Sequence, residues 1–152
     1  MLLSVVCGTY NRVASLRTMI KSIQSTWFAS LPIEFIIVDN GSTDGTAQWV
    51  ANHDDLMLIQ LGKPMGAVHA FTRGARAASG QYVLLATDDV VFPRGALLRA
   101  VAHLEQNAHC GAVAFKHDKY NDGLMSVDYA RAANGKHVPY PQIAMVRRSA
   151  GD

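Results

Sequence analysis

Gln81-Tyr82-Val83-Leu84-Leu85-Ala86-Thr87-Asp88-Asp89 is the stretch on which the reading of this chain turns. Residues 82–86 form a continuous apolar run, the pattern of a strand buried on both faces, and two carboxylates close it before Val90-Val91-Phe92-Pro93. Like charges held together at the rim of a sheet repel one another unless something cationic joins them. Open α/β sheets bind ligands at the carboxyl ends of their strands, so Asp88 and Asp89 mark a candidate metal-and-phosphate site.

Outward from this stretch, residues 2–6, 35–38, 57–59 and 112–115 are short apolar runs of the same kind. Helical spacing lies between them. Val13, Leu16, Ile20, Ile23 and Trp27 share one face of a first helix, and Leu97, Leu98, Val101 and Leu104 share a face of a later one. Residues 66–79 are rich in Ala and Gly, which predicts a helix pressed closely onto the sheet and capped by Gly80. Strand and helix thus alternate through residue 115, the signature of a doubly wound sheet. Beyond Lys116 the stretch His117-Asp118-Lys119-Tyr120-Asn121-Asp122-Gly123 reads as a turn, followed by strand-like pieces at 125–129 and 143–146.

Composition narrows the class. A chain of 152 residues with 49% hydrophobic content buries one core and reads as one domain, residues 1–152. Lys and Arg exceed Asp and Glu by only 14 − 12 = 2 charges, with no basic run, which argues against a nucleic-acid partner. No stretch approaches the roughly 18 apolar residues of a membrane span. The opening Met1-Leu2-Leu3-Ser4-Val5-Val6 has neither a basic flank nor a cleavage site, so the expected location is cytoplasmic. Cys7 and Cys110 match no metal spacing and are expected to be reduced.

Two common phosphate-binding motifs are absent. There is no Gly-x-x-x-x-Gly-Lys-Ser/Thr, and the first strand is followed by no dinucleotide fingerprint. Instead Cys7-Gly8-Thr9-Tyr10-Asn11-Arg12 leads into the first helix. Its amides can hold an anion, Tyr10 can lie against a flat ring, and Arg12 can meet a phosphate. After the second strand, Asp39 stands where it could accept hydrogen bonds from the edge of a base, and Asp44 sits in a Gly/Ser/Asp turn. The structural alternative for both acids is turn stabilisation and helix capping.

Taken together, Ser4-Val5-Val6-Cys7-Gly8-Thr9-Tyr10-Asn11-Arg12, Ile36-Ile37-Val38-Asp39-Asn40-Gly41-Ser42-Thr43-Asp44-Gly45-Thr46 and residues 66–80 leading to Leu84-Leu85-Ala86-Thr87-Asp88-Asp89 resemble the nucleotide-sugar-binding half of family 2 glycosyltransferases. The resemblance runs to about residue 113, with Met145-Val146-Arg147-Arg148-Ser149 similar to a further strand of the family. It implies a GT-A fold, a Rossmann-like, mostly parallel sheet flanked by helices. It further implies inverting sugar transfer from a nucleotide-diphosphate donor, most often a UDP-sugar, with Mn2+ or Mg2+. Carried over residue by residue, Thr9, Tyr10 and Arg12 match the loop lining the nucleotide. Asp39 matches the acid at the base, Asp88 the acid near the ribose, and Asp89 the metal ligand.

Three positions depart from the family pattern. Gly8 replaces a frequent proline. Thr87 takes the first place of what is often an Asp-x-Asp run, and Phe71-Thr72 fall where Arg-Asn is common. Arg73, Arg76 and Lys63 are the candidates to replace the lost cation. The family's catalytic base lies well beyond the diphosphate site, so here it is expected beyond Asp152, with the acceptor part truncated and self-association through uncovered sheet edges a corollary. Asp118, Asp122 and Asp128 read as surface acids. His53, His103, His109 and His137 read as solvent-facing, His69 as packed or partly exposed, and His117 as a loop residue. Trp27 and Trp49 fit helix faces on the sheet.

The acceptor, a glycan, lipid or protein, stays open. A non-catalytic nucleotide-sugar-binding module is the alternative to a transferase domain. A receiver-like signalling domain fits poorly, because its acids would follow the first strand.

Overall fold

A computed structural model describes residues 3–26, 32–121, 124–130 and 143–148. Trp27, Asp122, His137 and Asp152 lie outside the described residues. The elements run β1 (Leu3–Thr9), α1 (Val13–Thr26), β2 (Ile33–Asp39), α2 (Thr46–Ala51), β3 (Leu56–Gln60), α3 (Ala67–Ala77), β4 (Tyr82–Thr87), β5 (Val90–Val91), α4 (Ala96–Gln106), β6 (Ala112–Asn121), β7 (Leu124–Ala130) and β8 (Ala144–Arg147).

Among the described residues the strands form one eight-stranded sheet in the order β3-β2-β1-β4-β8-β6-β7-β5. Its β3-β2-β1-β4 half is parallel, and β8 joins β4 and β6 antiparallel. The chain steps outward from β1 through β2 to β3, then returns to place β4 on the other side of β1. That reversal makes the gap between the ends of β1 and β4 the topological switch point, where open sheets hold their ligands.

The two faces of the parallel half have separate cores. On one, Leu16, Met19 and Ile23 of α1 and Leu97, Val101 and Leu104 of α4 pack on Val5, Cys7, Phe35, Ile37, Leu84 and Ala86. On the other, Ala70 and Ala78 close over Val6, Ile36, Val38 and Val83. Strand alternation therefore aims Thr9 and Asp39 toward the α1 and α4 side, and Gly8 and Thr87 toward α3.

The small residues of α3 act as the sequence predicts. A Cβ on Gly74 would come 2.3 Å from Val6 Cγ1 and 3.1 Å from Val38 Cγ2. One on Gly8 would come 3.1 Å from Ala70 Cβ, so Gly8 is a strand residue under a close helix. The expected Gly80 cap is corrected: α3 ends at Ala77 and Ala78 is already extended. The amide of Gly80 instead donates to Ser4 Oγ at 2.8 Å and to Glu34 Oε1 at 3.2 Å. The expected turn at 117–123 is also corrected. Backbone pairing with β7 carries β6 through Asn121, with a register shift between His117 and Lys119 absorbing the irregularity.

Candidate functional site

The loops after β1, β2 and β3 are laced into one rigid rim. Asn11, at the left-handed φ of 52°, accepts from the Thr43 amide at 2.7 Å, and its own amide donates to Ser42 Oγ at 2.9 Å. Asp39 accepts from the Ser42 amide at 3.2 Å, and Asn40 Oδ1 from the Met65 amide at 2.7 Å. Asp44 serves two helices. Its Oδ1 accepts from the Thr46 amide at 3.0 Å and from the Thr46 hydroxyl, and its Oδ2 accepts from the Val13 amide at 3.2 Å, across from the start of α1. The Thr46 hydroxyl bond, then the backbone donors, hold the Asp44 carboxyl below its ordinary range. Gly41, at φ 90°, lets this rim close, since a Cβ there would meet the Lys63 backbone at 2.9 Å.

Inside the rim, four predicted residues converge from the carboxyl ends of β1 and β4. Thr9 Oγ1 donates to Asp88 Oδ2 at 2.7 Å, and Arg12 Nη1 lies 3.4 Å from Asp88 Oδ1 and 3.3 Å from Asp89 Oδ2. Burial pushes the Asp88 carboxyl up; the Thr9 hydrogen bond and the Arg12 charge pull it back, while Asp89 adds repulsion. The like-charge problem posed by the sequence is met here by a guanidinium. Asp89 is the more open of the pair, its side chain 27% exposed against 7% for Asp88.

These side chains form one wall of a cleft of about 600 Å³ at the switch point. Tyr10 stands at its lip, 46% exposed. The opposite wall is apolar, made by Ala67, Ala70 and Phe71 of α3, with Thr87 at the base. Thr87 Oγ1 is buried without a hydrogen-bond partner, so it adds no charged ligand beside the acids. Phe71, where a cation was missing from the sequence pattern, lines the cleft as a ring. Arg73, Arg76 and Lys63 are exposed and outside the lining, which leaves Arg12 as the cation of the described cleft.

Asp39 is placed differently from its neighbours. It ends β2 opposite Thr9 in register, is 2% exposed, and spends both oxygens on the Ser42 amide rather than facing the cleft wall. Asn40 lines the cleft instead. Among the histidines, His53 is corrected. Its ring packs on Trp49 at 4.3 Å, with Nδ1 2.7 Å from Trp49 O, and the Arg17 guanidinium lies over the indole at 5.0 Å. Trp49 lies on α2 and His53 just past its end, and their separation of four positions was a usable signal for that contact. His103 is half-buried rather than solvent-facing, whereas His69 and His109 are exposed. Cys7 is buried and free; burial first, then the charges of Asp88 and Asp89, push its thiol well up, which makes it a packing residue.

A sheet of this order, reversing direction between β1 and β4, defines an open, doubly wound α/β domain. The model for glycosyl transferase family 2 matches residues 4–150, and the chain belongs to that family. It is 31% identical over 106 residues to an uncharacterized glycosyltransferase, YwdF, of Bacillus subtilis, covering 69% of this chain and 39% of that protein. It is 27% identical over 115 residues to poly-beta-1,6-N-acetyl-D-glucosamine synthase of Staphylococcus epidermidis, covering 73% of this chain and 27% of that one. The fold superposes on a Pyrobaculum calidifontis mannosyltransferase in complex with GDP-Man and Mn2+, with a TM-score of 0.71, 22% identity, 96% of this chain and 44% of the other. It also superposes on residues 1–349 of S. aureus TarS in complex with UDP-GlcNAc, with a TM-score of 0.70, 25% identity, 92% of this chain and 37% of the other. The architecture is therefore GT-A, and the chain spans less than half the length of these relatives.

Among the described residues no helix is long and apolar enough to cross a membrane.

Proposed function

We propose that this chain is the donor-binding part of an inverting, metal-dependent glycosyltransferase that takes a nucleotide-diphosphate sugar, in the first instance a UDP-sugar. The observation that carries this reading is the convergence of Thr9, Arg12, Asp88 and Asp89 at the switch point, beside a cleft large enough for a nucleotide. The mannosyltransferase in complex with GDP-Man and Mn2+ and TarS in complex with UDP-GlcNAc share the fold and support it.

Asp88 and Asp89 fit a hard divalent cation. They are adjacent oxygen donors, and Asp89 keeps solvent access on the cleft side. Among the described residues there is no cluster of three or more His, Cys, Asp or Glu suited to hold a metal. The pair thus suits Mn2+ or Mg2+ shared with phosphate oxygens, Asp89 being its protein ligand and Asp88 facing the ribose. Such a cation, when bound, neutralises charge on the departing diphosphate.

The chain's own residues do the rest. Thr9 fixes Asp88 so that its remaining oxygen faces the donor. Tyr10 at the lip offers a flat face to the base, and Asp39 is the acid nearest the base end, reachable once its Ser42 bond yields. Arg12 supplies positive charge at the phosphates. The base that activates the acceptor hydroxyl is not among these groups. Domain limits of 1–152 and a cytoplasmic site of action belong to the same proposal.

A thermal-shift titration tests the reading. UDP with Mn2+ at about 100 times its dissociation constant stabilises the native state by about 2.7 kcal/mol and raises Tm by several degrees. A Tm unmoved by UDP, with or without Mn2+, overturns it.

A further inference from the structure

Arg12 Nη1 sits between the two carboxylates, 3.4 Å from Asp88 Oδ1 and 3.3 Å from Asp89 Oδ2, so it occupies an oxygen of the acid proposed above as the metal ligand. The backbone on either side of it is pinned. Asn11 is held by Ser42 and Thr43, and Val13 by Asp44. The Arg12 side chain is 55% exposed, so a fixed base carries a long arm open to solvent over about half its surface. A guanidinium and a divalent cation cannot share the same oxygens without strong like-charge repulsion. The cleft offers Arg12 another anion when a diphosphate is present, and a guanidinium engages phosphate as a two-pronged donor.

Resting on the functional reading above, we propose that Arg12 is a built-in counter-ion. It neutralises Asp88 and Asp89 while the donor site is empty, and it moves to the diphosphate when the metal-bound donor enters. Metal alone is then a poor ligand, because it must displace Arg12 with nothing to receive it. Metal and nucleotide bind as a cooperative pair, each raising the affinity of the other by the same factor.

The test measures Mn2+ binding by the electron paramagnetic resonance of free Mn2+, with and without UDP, in wild type, Arg12→Met and Lys21→Met. Lys21 is an exposed α1 residue, so its variant removes the same charge away from the cleft. Arg12→Met is expected to bind Mn2+ alone about tenfold more tightly than wild type and Mn2+ with UDP about tenfold more weakly. Lys21→Met is expected to match wild type in both. Arg12→Met binding Mn2+ alone no more tightly than wild type overturns the proposal, as does an equal gain in Lys21→Met. If wild type binds Mn2+ with UDP normally in those cases, only the counter-ion role fails. If UDP also leaves the Tm of wild type unmoved in the thermal-shift titration, with and without Mn2+, the functional reading fails and takes this inference with it. Circular dichroism melts of each variant confirm that the compared proteins are folded.

Discussion

The Thr9 hydroxyl donates to the buried carboxylate of Asp88 at 2.7 Å, joining the ends of two neighbouring parallel strands that lie 79 positions apart in sequence. A buried carboxylate keeps its charge only with such partners, and hydrogen bonds to charged groups contribute about 1.5–3 kcal/mol. Thr9→Val, which keeps the shape and removes the donor, is expected to lower stability by about 2 kcal/mol in urea unfolding, at unchanged m-value. UDP binding falls in the same variant, because Asp88 loses its fixed orientation. Thr9→Ser, which restores the donor, recovers both.

Asp44 caps from outside the usual position. It serves the start of α2 locally and the start of α1 across 31 positions. Losing one capping carboxylate costs typically about 1 kcal/mol, and Asp44→Ala removes the acceptor from two helix starts. The expected loss is about 1–2 kcal/mol in chemical unfolding, with Asp44→Asn retaining part of it.

Glu34 joins β2 to the turn before β4. Burial pushes its carboxyl up, but bonds from Ser4, Ser79 and Gly80 outweigh that and leave it below the ordinary value of 4.5. A depressed folded-state pKa contributes stability above the unfolded value and loses it as pH falls through the folded one. Wild type is therefore expected to melt above Glu34→Gln at pH 7, and the gap in Tm to close as pH falls from about 5 to 3. A gap that is constant across that range would assign the difference to packing instead.

Gly74 marks how closely α3 lies on the sheet. Gly74→Ala places a methyl 2.3 Å from Val6 Cγ1, and overpacking of this kind costs typically about 1–3 kcal/mol. Val6→Ala in the same chain makes room, so the double variant is expected to be less destabilised than the sum of the two singles. Calorimetric melts of the four proteins give that coupling directly.

How much of this was legible in the sequence differs from residue to residue. The apolar runs and the small-residue stretch 66–79 located the strands and the close helix, because burial on both faces and close packing leave compositional marks. The acid pair was readable as a site because its charge had no local partner. Arg12 as that partner was not readable, since it lies 76 positions away and the contact is created by the β1 and β4 pairing. Gly80 looked like a cap on composition alone, but the helix had ended at Ala77 and the amide of Gly80 went to Ser4 and Glu34. Residues 117–121 looked like a turn because polar residues dominate there, yet pairing with β7 overrides that local preference. The second role of Asp44, at α1, likewise depends on loops meeting in space.

At the centre stands the proposal that Asp89, with Asp88 beside it at the ribose, holds the leaving group of a nucleotide-sugar donor through a divalent cation. Isothermal titration of UDP into wild type and Asp89→Ala, each with Mn2+ and with chelator, tests it most directly. Wild type is expected to bind UDP only with Mn2+, and Asp89→Ala to lose that dependence. Binding of equal strength in all four titrations, or no binding in any, would contradict it.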